Sequence, residues 1–236
     1  MQTTPTPNLV PGLEGVATLE SGAAFSCARK HDGTIWCWGS AGQAQIGIPE
    51  GSSDAGGDNE RHPIPRQVAW LRDPRSLAVG SSHACAVLAD RTVACWGDNS
   101  SGQLGHDPQL DPSCGSGHEC NGKPTVVPGL ASVREVALGG INSCAVRDDD
   151  TVWCWGTNTN GVLGHDPALD GPGSMAFTPT KVAGLSNIAH IAVSGNFACA
   201  VGRDDTVWCW GANSYGVLGL ADGSTSTHTP VQLSGL

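Results

Sequence analysis

Apolar residues in this chain come in short bursts separated by polar, glycine-rich stretches, and the bursts repeat. Four segments align on their cysteines: Phe25-Ser-Cys-Ala through Trp36-Cys-Trp-Gly39, His83-Ala-Cys-Ala through Ala94-Cys-Trp-Gly97, Asn142-Ser-Cys-Ala through Trp153-Cys-Trp-Gly156, and Phe197-Ala-Cys-Ala through Trp208-Cys-Trp-Gly211. The first cysteines stand at 27, 85, 144 and 199, so the spacing is nearly constant. Self-similarity at a fixed period marks an architecture built from one copied supersecondary unit. A second signature follows each Cys-Trp-Gly, as in Asn99 to Gly105 (Asn-Ser-Ser-Gly-Gln-Leu-Gly), with counterparts at Asn158 to Gly164 and Asn213 to Gly219. The first copy is worn: Ala41 and Ala44 replace the asparagine and the glycine, although Ile46-Gly47 survives.

Inside each copy the pattern predicts a β-hairpin. Pairing Cys27 with Cys37 leaves a three-residue loop at His31-Asp32-Gly33. Such loops take a type I turn followed by a left-handed residue, which glycine adopts without steric cost. The other copies place Arg91, Asp150 and Asp205 there, and arginine tolerates that conformation less well, so the second hairpin is expected to be looser. Counted back from the turn, the cysteines fall on a non-hydrogen-bonded pair, where strands approach most closely and a disulfide fits. In-register pairs Cys27–Cys37, Cys85–Cys95, Cys144–Cys154 and Cys199–Cys209 are therefore expected to be cross-hairpin disulfides rather than free core thiols. Metal is disfavoured at these pairs, because two ligands on a rigid hairpin make no tetrahedral set. Trp36 and Trp38 point away from Cys37, so both faces of the strand are apolar. A strand apolar on both faces is normally covered on both, which describes a propeller blade stacked between its neighbours.

Composition narrows the function classes. Three lysines and nine arginines against 22 acids leave a net charge of −10, which argues against nucleic acid and anionic membranes as partners. No apolar run reaches the length of a transmembrane helix, so membrane insertion is not expected. Ten cysteines, an even number in an acidic chain poor in lysine, point to an oxidising compartment. Met1 to Val10 has neither the basic start nor the apolar core of a signal peptide. The expectation is a secreted or cell-surface protein whose signal sequence lies outside this chain.

The run Gly-x-x-(His/Asn/Phe)-x-Cys-Ala-Val, turn, Val-Trp-Cys-Trp-Gly, Asn-x-x-Gly-x-Leu-Gly resembles the regulator of chromosome condensation repeat, from about Pro7 to Leu236. That resemblance implies a β-propeller, a family usually built of seven four-stranded blades. The paired cysteines depart from the pattern and suit an extracellular member. The expected fold is all-β: one propeller segment over 1–236, a partial ring or arc of four four-stranded blades with intra-hairpin disulfides. Its repeats are placed at 7–65, 66–123, 124–178 and 179–229, with 230–236 as the opening strand of a fifth. The boundaries rest on a recurring phrase, Pro124-Thr-Val-Val-Pro-Gly-Leu130, echoed at Pro7, Pro179 and Pro230 and read as the entry to each repeat. Four blades leave apolar faces bare at both ends. They are expected to be a segment of a longer propeller, with completion by a second copy or a small closed ring as alternatives.

Candidate sites lie in the length-variable connections 48–65, 106–123, 165–178 and 220–229. Partner contacts are expected at Asp58, Arg61, His106, Asp107, His118, Glu119, His165, Asp166 and Asp222. Cys114 and Cys120 are read as a fifth disulfide stiffening a loop, against a metal site that would add His118 and Glu119. The recurrence of His106-Asp-Pro-Gln-Leu-Asp111 as His165-Asp-Pro-Ala-Leu-Asp170 is read as turn chemistry ahead of calcium binding. His83 occupies a position filled elsewhere by Phe25, Asn142 and Phe197, so it is read as packing and not as a catalytic base. No nucleophile elbow, zinc-protease helix, phosphate loop or dinucleotide fingerprint is present, and neither catalysis nor a metal or other cofactor is expected. The reading is a non-catalytic binding scaffold with a protein partner, and with self-association or further blades at its ends. The alternatives are an inhibitor of a secreted hydrolase, as one propeller of this type is, and a structural assembly module. Guanine-nucleotide exchange fits an acidic, disulfide-bearing chain poorly.

Overall fold

The computed structural model describes residues 8–48, 61–114, 117–171, 173–220 and 223–233. Sixteen strands form four antiparallel sheets, each a simple up-and-down meander. The first sheet holds β1 (Val16–Ser21), β2 (Phe25–Lys30), β3 (Ile35–Ser40) and β4 (Arg61–Gln67). The second holds β5 (Pro74–Val79), β6 (His83–Leu88), β7 (Val93–Asp98) and β8 (Cys120–Val126). The third holds β9 (Val133–Leu138), β10 (Asn142–Arg147), β11 (Val152–Thr157) and β12 (Met175–Lys181). The fourth holds β13 (Ile188–Val193), β14 (Phe197–Gly202), β15 (Val207–Ala212) and β16 (Ser226–Gln232). The sheets are the blades of an open arc, and three apolar clusters fill the three junctions between them.

The central hairpin of every blade has the register expected from the cysteines: Cys27↔Cys37, Cys85↔Cys95, Cys144↔Cys154 and Cys199↔Cys209. Each pair forms a disulfide with Cα atoms 4.1 Å apart. That spacing belongs to the non-hydrogen-bonded rungs of an antiparallel ladder. The glycine closing each Cys-Trp-Gly is fixed by crowding. At Gly39, with φ +113°, a Cβ would lie 2.6 Å from the Ala24 carbonyl oxygen of the neighbouring strand entry.

The third turn residue is left-handed in all four hairpins, with φ +81° at Gly33, +63° at Arg91, +58° at Asp150 and +63° at Asp205. The second hairpin is not looser than the rest. The Leu88 amide donates to the Thr92 carbonyl at 2.9 Å, as Lys30 does to Thr34 at 2.8 Å. Ladder and disulfide hold the turn closed, and Arg91 carries the strain. Arg91 also pairs with Asp148 of the third blade at 2.6 Å, so in an Asp148→Ala background, where that pair is already gone, replacing Arg91 with glycine should raise stability by about 0.5–1 kcal/mol in a urea titration.

The blade boundaries differ from those read in the sequence. The phrase at Pro124 closes the second blade instead of opening the third: β8 pairs with β7, and the next blade begins at Val133. Pro230 to Gln232 likewise belong to β16, which pairs with β15, and do not start a fifth repeat. The blades thus run 16–67, 74–126, 133–181 and 188–232, in place of 7–65, 66–123, 124–178 and 179–229. The long connections are consequently excursions between the third and fourth strands of one blade. In a meander they leave from the same end as the first-to-second strand turns, so they share one face of the arc.

Candidate functional site

The loop face is built outward from one buried asparagine in each of the last three blades. After β7 the chain turns, and the Asn99 side chain organises the turn from within. Its Oδ1 accepts from the Leu104 amide at 3.0 Å. Its Nδ2 donates to Asp111 Oδ2 at 2.6 Å and to the His106 carbonyl at 3.3 Å. Asn158 repeats the arrangement with Leu163 at 2.9 Å, Asp170 at 2.6 Å and His165 at 3.2 Å. Asn213 keeps the leucine contact at 2.9 Å and donates to the Ser224 carbonyl at 2.8 Å. Ala41 makes no such bonds possible in the first blade.

The recurring His-Asp-Pro-x-Leu-Asp segment folds over this asparagine. Asp107 and Asp166 cap short 3-10 turns, Pro108–Leu110 and Pro167–Leu169, accepting from the Gln109 amide at 3.0 Å and the Ala168 amide at 2.9 Å. His106 Nε2 lies 2.8 Å from Asp111 Oδ2, and His165 Nε2 lies 2.7 Å from Asp170 Oδ1. Asn121 Nδ2 donates to the other Asp111 oxygen at 3.0 Å. Burial pushes the Asp111 carboxyl up, but the hydrogen bonds from His106 and Asn99 and the His106 charge outweigh it, leaving its pKa below the usual range. Both Asp111 oxygens are occupied by N–H donors, so this carboxylate is a structural node holding the loop.

His106 and His165 therefore face inward, and the two loops present a leucine each beside exposed polar residues, Asp107 and Gln109 in one and Asp166 in the other. Leu110 and Leu169, at matching positions of the repeated segment, are 77% and 78% exposed. These leucines were not singled out from the sequence, where Asp111 and Asp170 entered only as the closing acids of the repeated segment. Their one signal was recurrence at identical spacing in two blades. His118 links neighbouring loops: its Nδ1 is 3.0 Å from Ser100 Oγ and 3.3 Å from Gln43 Nε2 in the first blade. Cys114 and Cys120 are disulfide-bonded across 5.9 Å between Cα atoms, which takes both sulfurs from any metal. The Glu119 carbonyl accepts from the Asn99 amide at 2.8 Å. Arg61 opens β4 opposite Ser40. Asp58 and Asp222 lie outside the described residues.

At the arc's axis the first-to-second strand turns, Ser21–Ala23, Gly80–Ser81, Gly139 and Ser194–Gly195 among them, line a cavity of about 250 Å³ on this same face. Away from the loops, Trp70, the one tryptophan outside the hairpin motif, is 56% exposed at φ +64° beside Ile64, Ile48 and Trp36.

The regulator of chromosome condensation (RCC1) repeat matches at residues 32–87, 92–146, 149–201 and 204–236. These windows run from one hairpin turn towards the next and are out of phase with the blades. RUG3, a mitochondrial RCC1 domain-containing protein of Arabidopsis thaliana, is 28% identical over 221 residues, covering 90% of this chain and 46% of its own. The ultraviolet-B receptor UVR8 of the same plant is 28% identical over 214 residues, covering 88% of this chain and 44% of its own. Among solved structures, yeast RCC1 (Prp20) bound to Kap60 superposes with a TM-score of 0.77 at 20% identity, over 96% of this chain and 50% of that one. Human WBSCR16 gives a TM-score of 0.75 at 20% identity, over 95% and 54%. The chain spans about half the length of these relatives.

Proposed function

The chain belongs to the RCC1 repeat family, and from that premise we propose that it is a non-catalytic, secreted or cell-surface scaffold whose loop face binds a protein partner. The observation that carries the reading is the pair of exposed leucines, Leu110 and Leu169, at the tips of two loops held by His–Asp–Asn nodes. Large apolar side chains fixed in water are the usual anchors of a protein interface, and fixing them in advance lowers the entropy cost of binding. The yeast RCC1 structure, solved with Kap60 bound, is a precedent for a protein partner on this fold. The extracellular setting is supported by disulfides in every blade.

Changing Leu110 and Leu169 together to aspartate tests the reading without touching the core. Binding to partners drawn from an extracellular protein mixture should weaken by about tenfold or more, with the thermal transition unmoved. Undiminished binding would remove the leucines, and with them the reading. The compartment is tested by intact mass of protein from its own source. Five disulfides make the oxidised form ten hydrogens lighter than the reduced form, one for each cysteine; equal masses would place it in a reducing compartment.

A further inference from the structure

On the hairpin-turn face, opposite the loops, neighbouring blades are fastened by an ion pair and a backbone hydrogen bond, and the first junction lacks both. Between the second and third blades, Arg91 donates to Asp148 at 2.6 Å and the Val133 amide donates to the Arg91 carbonyl at 2.9 Å. Between the third and fourth, Arg203 donates to Asp150 at 2.9 Å and the Ile188 amide donates to the Asp150 carbonyl at 3.2 Å. At the first junction Gly33 stands where Arg91 and Asp150 do and has no side chain, with Ala89 opposite it. Pro74 stands where Val133 and Ile188 do and has no N–H to donate. Neither bond can form there. A hollow of about 500 Å³ opens instead, lined by Arg29, Arg75, Asp32 and Asp73 around the buried Pro74.

The charges around this hollow are left over from the pairings that close the other junctions. Arg29 takes the place of Val87 and Val146, which are buried in the apolar clusters of the second and third junctions. Its Nε is buried, and the side chain has no hydrogen bond or ion pair to any described residue. Arg75 takes the place of Arg134, which donates to the Ala189 carbonyl at 2.8 Å and to Asp150 at 3.1 Å. In the second blade Arg91 replaces that aspartate, and Arg75 is exposed and unpaired among the described residues. Asp73 lies over Gly33, its Oδ1 3.7 Å from the place of a Cβ there, and pairs with neither arginine. Asp32 is already engaged. Thr34 donates to it from its hydroxyl at 2.6 Å and its amide at 2.9 Å, and Lys30 stands 3.7 Å away.

We propose that this hollow binds an amino-acid carboxylate, meaning a carboxylate carried close to an N–H donor. A guanidinium matches a planar carboxylate and holds it through paired, charge-assisted hydrogen bonds. A charge put in the place of a core valine costs stability until something pairs with it, and a bound carboxylate does so. Arg29 and Arg75 supply the donors, and Asp73 supplies the acceptor for the ligand's own N–H. Asp73 also sets the selectivity, because a phosphate dianion would meet it with two charges and bring no such donor. A volume of about 500 Å³ falls within the range of small-ligand sites, roughly 300–1,000 Å³. A free acidic amino acid and an acidic residue of a polypeptide carry the same pair of groups. The site lies on the face opposite Leu110 and Leu169, so it stands or falls apart from them.

Titrating the isotope-labelled chain with free L-glutamate, and separately with a capped peptide holding one internal glutamate, tests this through the arginine Nε–H resonances. Arg29 and Arg75 should shift with a dissociation constant of about 1 mM or tighter for at least one probe. Inorganic phosphate should bind about tenfold more weakly or worse. Tighter binding of free glutamate assigns the ligand as a small molecule, and tighter binding of the peptide assigns it as an acidic side chain of a partner. Arg29→Val installs the residue of the other three blades and should weaken binding by about tenfold or more. Arg75→Gln, at an exposed position, should weaken it as well. Circular dichroism on both variants checks that the blades still fold. Unmoved arginine resonances at about 20 mM of either probe overturn the inference. So does phosphate binding as tightly as the better carboxylate, or undiminished binding in either variant.

Discussion

Reducing the four in-blade disulfides is expected to unfold the protein at temperatures where the oxidised form is native. Each bridge closes a short loop, with a sequence separation of 10 residues. Chain entropy assigns roughly 3 kcal/mol to a loop of this size. Four such terms amount to on the order of 10 kcal/mol, comparable with the whole stability of a typical domain at about 5–15 kcal/mol. The melting temperature should fall by more than about 20 °C in reductant. A fall of only a few degrees would mean that blade stacking alone carries the fold and that the bridges are dispensable. The bridges should also go in order. Cys27, Cys85 and Cys144 are fully buried, whereas Cys199 is only half-buried on the open face of the fourth blade. Cys199–Cys209 should therefore be the first of the four to be reduced and alkylated at low reductant. Replacing Cys144 and Cys154 together with alanine isolates one bridge, with an expected loss of about 3 kcal/mol.

These bridges were legible in the sequence because hairpin register is local. Once two cysteines flank a three-residue turn, the strand period fixes which side chains oppose one another, and the left-handed third residue follows from the turn type. Blade boundaries were not legible for the converse reason. The phrase at Pro124 has the same local pattern whether its strand pairs backwards with β7 or forwards with β9, and only the sheet decides. The repeated His-Asp-Pro segment was visible as turn chemistry, with Asp107 and Asp166 in capping positions. The closure of His106 onto Asp111 beneath Asn99 was not, because those contacts span five to twelve residues of irregular backbone with no period to read. The outward aim of Leu110 and Leu169 follows from that closure. A leucine in a turn carries no mark of its direction until the polar residues around it have been paired.

His83 makes the protein acid-sensitive, and a single substitution should remove the sensitivity. The imidazole is fully buried, and that burial alone pushes its pKa down to about 3. Ser143 Oγ donates to the Gln103 carbonyl at 2.9 Å and lies 2.9 Å from His83 Nε2, so the proton of the neutral ring sits on Nε2. Nδ1 is buried with no partner among the described residues, and a proton added there would find no acceptor among them. The unfolded chain, with an ordinary histidine pKa near 6.5, binds that proton readily. Between about pH 6.5 and 3 the unfolded state therefore holds one more proton at this site than the folded state. The stability associated with the neutral ring is complete above pH 6.5 and is lost as the pH falls, by about 1.4 kcal/mol per unit. Asp111, with its pKa held below the usual carboxylate range, loses its contribution only at lower pH, so the two effects separate near pH 4.5. Asparagine is the natural replacement, since Asn142 fills the same position in the third blade and donates to Gly195 across the next junction. Urea titrations at pH 7 and pH 4.5 should show His83→Asn losing about 3 kcal/mol less than the parent between the two conditions. Equal losses would mean that a buried acceptor or water rescues the imidazolium, and that acid acts on this fold through its carboxylates instead.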